Sequence, residues 1–197
     1  MKIIGWQIGD GKMLIGVLAL QGAFREHILA LEKMEIDTIE VKSNDCIKEI
    51  DGLIIPGGES TTMGKLLDSF DLRDEIKKRI LSGMPVWGTC AGMILLAKDI
   101  GKEKAHLKVM NIRVKRNGYG RQLGSFISKG KFANYTNVSM PFIRAPYIEK
   151  VGKNVEVLSI IDGKIVAARE NNILVTSFHP EITDDLTVLE YFVKMIE

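Results

Sequence analysis

The chain has 197 residues, of which 46% are hydrophobic and 26% are charged, and its formal net charge at pH 7 is +2. This length and composition are typical of a protein with one sizeable hydrophobic core. Lysines and arginines are interspersed with acidic residues, which argues against a nucleic-acid-binding surface. The two cysteines cannot form a disulfide framework, and no Cys/His cluster has zinc-site spacing, so we expect a reduced, cytoplasmic protein.

The N-terminal residues have none of the features of a targeting or membrane segment. The apolar run at 13–20 is too short to span a bilayer, and residues 1–12 lack a basic region and a cleavage-like end. Residues 9–11 read Gly-Asp-Gly, just before a strand-like pattern begins. We therefore predict a leader or extension over 1–12, a single domain over 13–197 and no membrane partner.

Strand-like and helix-like patterns alternate over the first hundred residues. "LIGVLAL" (14–20) is apolar throughout, as expected of a strand covered on both faces, and an amphipathic stretch at 23–34 follows it. The alternation continues with strands at 37–41, within 51–60 and at 85–90, and with helices from about Thr62, at 71–83 and at 91–100. This order predicts an α/β fold, a three-layer sandwich with a mostly parallel central sheet and helices on both faces.

Beyond residue 108 the pattern changes to successive strands. They are predicted at 108–114, 123–128, 141–148, 155–161, 164–170 and 173–178, with turn residues between them. We expect hairpins that extend the same sheet or fold over it. An amphipathic helix at 184–197 is predicted to close the chain.

Cys90 ends the predicted strand "PVWGTC" and precedes a helix, with glycines at positions 88 and 92. In open parallel sheets, ligands bind at the carboxyl ends of the strands. Glycines two residues either side of a nucleophile permit a sharp turn from strand to helix, so that the side chain projects outward. The helix N-terminus favours a thiolate and offers donors to an oxyanion. A lone cysteine is more often a small buried hydrophobe, so a partner base is needed to support this interpretation.

His179 is the histidine best placed to be that base. It ends the apolar strand "ILVTSF", and Glu181 two residues later can lie beside its imidazole if the segment is extended. A carboxylate that orients a histidine beside a thiol completes a triad of nucleophile, base and orienting group. His27, within the first helix, and His106, in a charged connection, are expected to be surface or boundary residues.

Two other features near these residues have more than one interpretation. Cys90, His179 and Glu181 are also legitimate zinc ligands, but their spacing does not require a metal, and we predict none. "IIPGGESTTM" (54–63) is a strand end that enters a glycine turn, with Ser60 and Thr61 expected to cap a helix. Its amides can receive a carbonyl oxygen or an anion, although such a turn is often only a helix cap.

Five motifs together resemble a known family, and they are "PGGESTT", "GTCAGMILLAK", "RNGYGRQ", "FIRAP" and "SFHPEITDD". In this order and spacing they are similar to class I glutamine amidotransferases, and more narrowly to the glutaminase subunits of pyridoxal 5'-phosphate synthases. The resemblance runs from "IGVLALQGAFREH" to the C-terminus. It implies hydrolysis of L-glutamine to glutamate and ammonia, with the ammonia passed to a barrel-shaped synthase subunit and no cofactor.

The same resemblance implies roles for individual residues. Cys90 matches the family's nucleophile, His179 its base and Glu181 the residue that orients the base. The glutamine contacts implied are Gly58, Glu59, Ser60, Arg116, Ile143 and Arg144. An arginine suits such a site because the α-carboxylate of glutamine matches a guanidinium fork.

Other functions remain open at this point. The triad would also serve the glutaminase of another synthase, such as one that makes imidazole glycerol phosphate. A non-catalytic binding or regulatory module on the same fold is a second alternative, and a cysteine peptidase or sensor of related architecture is a third.

Overall fold

The computed structural model describes residues 13–116, 118 and 124–197. The predicted leader at 1–12 lies outside the described residues, as do position 117 and positions 119–122 of the motif "RNGYGRQ". Among the described residues, no helix is long and apolar enough to cross a membrane.

Strands and helices alternate in the first half of the chain, and strands dominate the second. The strands are β1 (Leu14–Leu18), β2 (Asp37–Val41), β3 (Gly52–Ile55), β4 (Val86–Thr89), β5 (Ala97–Asp99), β6 (Met110–Lys115), β7 (Ser125–Phe132), β8 (Tyr135–Ile143), β9 (Tyr147–Val151), β10 (Glu156–Ile161), β11 (Lys164–Glu170) and β12 (Ile173–Thr176). The α-helices are α1 (Phe24–Glu32), α2 (Asn44–Glu49), α3 (Ser60–Ser69), α4 (Arg73–Leu81), α5 (Ala91–Leu96) and α6 (Thr187–Val193), and a 3₁₀-helix covers Pro180–Ile182.

Ten strands form the central sheet in the order β2-β1-β3-β4-β12-β11-β9-β6-β5, with β10 paired to β11. The pairs from β2 to β12 are parallel, as predicted, whereas β11 pairs antiparallel with its neighbours β12, β9 and β10. Strands β7 and β8 form a separate antiparallel hairpin. The predicted hairpins therefore do both things expected of them: some extend the sheet, and one lies over it.

Neighbouring residues of the central strands belong to two different hydrophobic cores. In β3, Leu53 and Ile55 lie in one core, and Ile54 lies in the other. Strand side chains alternate between the faces of a sheet, so the two cores lie on opposite faces. Buried residues of α3, α4 and α5 join the first core, and those of α1, α6 and the β7–β8 hairpin join the second. This is the three-layer arrangement predicted from the sequence.

Most predicted elements differ in their bounds by a few residues, and three differences change the local structure. The helix at 91–100 ends at Leu96, because the next residues, Ala97–Asp99, pair with β6 as an edge strand. The strand at 141–148 is interrupted at Arg144, whose positive φ of 45° turns the chain between β8 and β9. The C-terminal α-helix covers Thr187–Val193 rather than 184–197.

Candidate active site

Cys90 lies at the carboxyl end of β4, where the chain turns sharply into α5. Its backbone has φ 49° and ψ −99°, a left-handed conformation that non-glycine residues rarely adopt. The turn is held by the Cys90 N–H, which donates to the carbonyl of Thr176 on the neighbouring strand at 2.8 Å. Cys90 is buried, with 8% of the residue exposed. Backbone strain at a strand-to-helix turn is the geometry predicted for a nucleophile.

The two glycines beside this turn allow backbones to approach closely. A Cβ on Gly92 would lie 2.1 Å from the carbonyl oxygen of Ile55, at the end of β3. A Cβ on Gly88 would lie 2.6 Å from the carbonyl carbon of Gly92. Side chains at these positions would separate α5 from the strands that carry it, so the glycines have the packing role predicted from their spacing.

Strand register brings His179 to the same edge of the sheet as Cys90. Strands β4 and β12 are parallel neighbours, and Thr89 at the end of one pairs with Thr176 at the end of the other. His179 follows three residues later, and its backbone N–H donates to the carbonyl of Pro141 at 2.8 Å. The His179 side chain therefore lies close enough to Cys90 for the two side chains to interact electrostatically.

Glu181 lies beside His179, with Oε1 2.7 Å from Nδ1 of the imidazole. The backbone differs from the predicted extended segment, because Pro180–Ile182 forms a 3₁₀-helix. The Glu181 side chain has no exposed surface, and among the described residues its Oε2 has no hydrogen-bond partner. One oxygen of this buried carboxylate is thus committed to the histidine.

The electrostatics of this pair favour a protonated imidazole. Burial alone would lower the pKa of His179, but hydrogen bonds to Cys90 and Glu181, and their charges, outweigh burial and raise it to about 10. Burial also opposes the charge on Glu181, yet His27 and His179 hold the pKa of its carboxyl below the usual value. A positive charge beside the sulfur stabilises the negative charge that develops there.

His27 is not the surface or boundary residue that we expected. It is 1% exposed, on the face of α1 that also buries Ala30 and Leu31. Its position three and four residues from these apolar side chains was a signal of burial. Burial lowers the pKa of His27, and the charge of Glu181 only partly offsets this effect. His106, by contrast, is half-buried, consistent with a boundary position.

The glycine loop after β3 contacts the histidine of the site. A Cβ on Gly57 would lie 2.4 Å from Cε1 of His179, so only glycine fits there without displacing the ring. A Cβ on Gly58 would lie 2.5 Å from Oε1 of Gln21, which also accepts the backbone N–H of Glu59 at 2.8 Å. The loop therefore fills the space between the turn after β1 and the imidazole of His179.

The helix that follows this loop is capped by a different residue from those we predicted. The carboxylate of Glu59 accepts the backbone N–H groups of Thr61 and Thr62, at 3.0 and 2.7 Å, and α3 begins at Ser60. These hydrogen bonds, led by those from Thr62, lower the pKa of Glu59 to about 2. Ser60 is buried, and its hydroxyl has no partner among the described residues. The longer side chain of Glu59 reaches two backbone amides at once, which explains why Glu59, and not Ser60 or Thr61, is the cap.

Arg116 packs beside the first turn of α3 and contacts the capping residue Glu59. Its guanidinium is 3.3 Å from Oε1 of Glu59 and also pairs with Glu103. The Arg116 side chain is 24% exposed, so solvent or a ligand can reach its guanidinium. Glu103 was not predicted, because it lies in a polar connection whose pattern indicates only a solvated loop.

Ile143 and Arg144 reach the site through β8. Pro141, two residues before Ile143, accepts the backbone N–H of His179 at 2.8 Å. Both Ile143 and Arg144 are exposed, and the positive φ of Arg144 ends the strand here. The structure thus brings Cys90, His179 and Glu181 to one sheet edge and places Gly58, Glu59 and Ser60 directly after the loop glycine that contacts His179, whereas Ile143 and Arg144 are exposed residues at the end of β8. In the described part of the chain, no group of three or more His, Cys, Asp or Glu side chains is arranged to hold a metal ion.

Comparison with known proteins identifies the family. The model of the SNO glutamine amidotransferase family matches residues 17–197. The chain belongs to this family. It is 55% identical over 185 residues to the "Pyridoxal 5'-phosphate synthase subunit PdxT" of Methanocorpusculum labreanum, an alignment that covers 93% of this chain and 98% of the relative. The protein of the same name from Ruminiclostridium cellulolyticum is 53% identical, with 92% and 98% covered.

A solved structure agrees with this family assignment. The crystal structure of a glutamine amidotransferase superposes with a TM-score of 0.89 at 41% identity, covering 92% of this chain and 98% of that one. A subunit of PurLQS from Thermotoga maritima superposes with a TM-score of 0.71 at 15% identity, which shows the fold alone. As a family member, this chain is a glutamine amidotransferase with the α/β fold predicted from its sequence.

Proposed function

We propose that this protein is the glutaminase subunit of a pyridoxal 5'-phosphate synthase, and that Cys90, His179 and Glu181 are its catalytic triad. The observation that carries the triad is the meeting of the three residues at one sheet edge. Cys90 and His179 follow the ends of the paired strands β4 and β12, their side chains interact electrostatically, and His179 Nδ1 lies 2.7 Å from Glu181 Oε1. The names of the two relatives support the choice of synthase. The glutaminase domain covers 13–197 in this proposal, with 1–12 as an extension.

The triad hydrolyses glutamine in two steps. His179 takes the proton of the Cys90 thiol, the sulfur attacks the carboxamide carbon, and His179 gives this proton to the departing nitrogen, which leaves as ammonia. The product of this step is a γ-glutamyl thioester. Water then attacks the thioester carbon and gives a proton to His179, which passes it to the departing sulfur, so that the thiol is restored and glutamate is released. Glu181 keeps the imidazole oriented throughout and stabilises its charge.

The glutamine contacts belong to the loops around the triad. Gly58, in the glycine loop, lies where backbone groups can hold the reacting carboxamide, beside the loop glycine that contacts His179. Arg116 offers a guanidinium fork to the α-carboxylate of glutamine. The carboxylate of Glu59 lies next to Arg116 and suits the α-ammonium group. The remaining contacts in this proposal are Ser60, Ile143 and Arg144.

The ammonia is passed to a separate barrel-shaped synthase subunit, so the working protein is a hetero-oligomer. The word "subunit" in the names of the relatives supports this part of the proposal. The reaction needs no cofactor, because the nucleophile, the base and the leaving-group proton all come from side chains. We place the protein in the cytoplasm, since both of its cysteines, Cys46 and Cys90, are free thiols.

The test is ammonia release from glutamine with the full chain, alone and after addition of the pyridoxal 5'-phosphate synthase barrel subunit of the same organism. We expect release in the presence of the synthase subunit and none from Cys90→Ala under the same conditions. Activation only by a different synthase subunit would overturn the choice of synthase. Ammonia release by Cys90→Ala would overturn the mechanism. Absence of release with every synthase would favour a binding or regulatory module.

A further inference from the structure

His27 is a buried ionisable residue that the proposed chemistry does not use. It comes from α1, and its ring packs edge-on against Trp87 of β4, with ring centroids 5.3 Å apart. Its Nε2 lies 3.2 Å from Oγ1 of Thr89 and 3.6 Å from Oε1 of Glu181. The latter oxygen is the one that contacts Nδ1 of His179. A second histidine therefore lies beside the carboxylate of the triad.

The charges around His27 favour a neutral ring with its proton on Nε2. Burial lowers the pKa of this imidazole, Glu181 and Glu26 act in the opposite direction, and His179 lowers it further. A bare Nε2 lone pair 3.6 Å from a carboxylate oxygen would be repelled by it. With the proton on Nε2, the N–H donates to Thr89 Oγ1 at 3.2 Å, and the nitrogen that carries this proton lies 3.6 Å from Glu181 Oε1. Near pH 7 the effect on Glu181 is therefore that of an N–H dipole rather than of a full charge.

Glu181 is stabilised chiefly by His179 and His27, and a neighbour on the His27 side matters because one carboxylate oxygen lacks a partner within the described part of the chain. Its side chain has no exposed surface, and its Oε2 has no hydrogen-bond partner among the described residues. A buried carboxylate with one unsatisfied oxygen is costly, and a rotation that turned Oε1 away would release His179. Thr89, Trp87 and α1 fix the imidazole of His27 on the Glu181 side of the site.

We propose that His27 is a positioning residue of the glutaminase reaction, whose Nε2–H keeps the Glu181 carboxylate ionised and turned toward His179. This inference depends on the proposed roles of Glu181 and His179. His27 contacts neither of the proposed reacting groups, the thiol of Cys90 and the carboxamide of glutamine, so it acts only through Glu181. Trp87 also belongs to this buried group, since its indole N–H donates to Thr176 Oγ1 at 3.2 Å.

The test compares a variant that keeps a donor with variants that lose it. The amide nitrogen of His27→Gln can occupy the place of Nε2, whereas His27→Leu and His27→Phe have no donor. With the synthase subunit present, we expect the donor-free variants to lose about tenfold in kcat while KM for glutamine stays within about twofold. The acid limb of their kcat profile should move up by about one pH unit, because the carboxylate loses a stabilising dipole. His27→Gln should recover most of both effects.

A double-mutant cycle tests whether His27 acts through Glu181. In a Glu181→Gln background, His27→Leu should change kcat by less than about twofold, because the group it acts on is already gone. A full tenfold further loss in that background would overturn the proposal. Wild-type kcat and an unmoved acid limb in a folded donor-free variant would also overturn it, as would a His27→Gln variant as impaired as His27→Leu.

NMR of histidine ring nitrogens gives a result that does not depend on turnover or on the folding of variants. In the wild-type chain we expect His27 to be neutral and protonated on Nε2 at pH 7, and the Nδ1 proton of His179 to resonate far downfield. Protonation of His27 on Nδ1 would overturn the proposal by itself. If this signature is present but no ammonia is released with any synthase subunit, the proposed function fails and the arrangement of His27 stands.

Discussion

Replacement of Gly92 by alanine tests the close approach on which the whole site depends. The new Cβ would lie 2.1 Å from the carbonyl oxygen of Ile55, and ordinary contact begins at 3.4 Å, so the atoms must separate by about 1.3 Å. Ile55 ends β3 just before the glycine loop, and Gly92 lies two residues after Cys90. The separation therefore moves the nucleophile and the loop beside His179 apart.

The expected magnitudes follow from this displacement. A misplacement of about 1 Å costs about 100-fold in rate, so we expect kcat/KM to fall by about that factor. Overpacking costs about 1–3 kcal/mol, and alanine recovers up to about 1 kcal/mol over glycine in a helix. A net loss of about 1–2 kcal/mol lowers the melting temperature by about 2–8 °C in a chain of this size.

The assay is ammonia release with the synthase subunit, together with thermal unfolding of the isolated chain. Gly124→Ala is the matched control, because a Cβ there meets no atom within 4 Å, and we expect its melting temperature to stay within about 1 °C of wild type. A Gly92→Ala variant with wild-type turnover and an unchanged or higher melting temperature would refute the claim that α5 and β3 must touch at this glycine.

Three further predictions concern the triad and the glycine loop. His179→Asn should abolish nearly all ammonia release. Glu181→Gln should keep a residual kcat roughly 100-fold higher than that of His179→Asn, because an orienting residue contributes less than the base itself. Equal losses of kcat in the two variants, measured in stopped assays, would contradict these roles. Gly57→Ala should lower kcat at least about tenfold, because its Cβ would lie 2.4 Å from His179 Cε1, and a wild-type kcat would exclude this contact. Glu59→Ala should cost about 1 kcal/mol of unfolding free energy at pH 7 through loss of the α3 cap. The pKa of Glu59 is lowered from 4.5 to about 2, so this stabilisation is complete above pH 4.5 and disappears as the pH falls through 2. Melting curves of the wild type and of Glu59→Ala should therefore differ at pH 7 and coincide at pH 2.

The sequence was most informative where local chemistry decides the structure. The glycines two residues either side of Cys90 predicted the strained turn, because only a residue without a Cβ allows backbones to approach as closely as α5 and β3 do. The alternation of apolar strands and amphipathic helices predicted the parallel half of the sheet, because helices that connect parallel strands cover both faces of those strands.

Side chains that meet across distant segments were harder to predict. The cap of α3 was assigned to the wrong residue, because the choice between Glu59 and Ser60 depends on which side chain reaches two amides in the folded turn. Glu103 gave no signal, since its role comes from its pairing with Arg116. The spacing of apolar residues in α1 indicated that His27 is buried, but its contact with Glu181 requires α1 to pack beside the end of β12.

The sequence alone determined the class of fold, the elbow at Cys90 and the pairing of a histidine with a carboxylate two residues later, because each depends on neighbours along the chain. Tertiary structure decided that β4 and β12 are adjacent and in register, which brings Cys90 and His179 together although 88 residues lie between them in the sequence. It also decided the environment of Glu181. Strand order and the contacts between buried side chains arise from the packing of the whole chain, and no local pattern of residues encodes them.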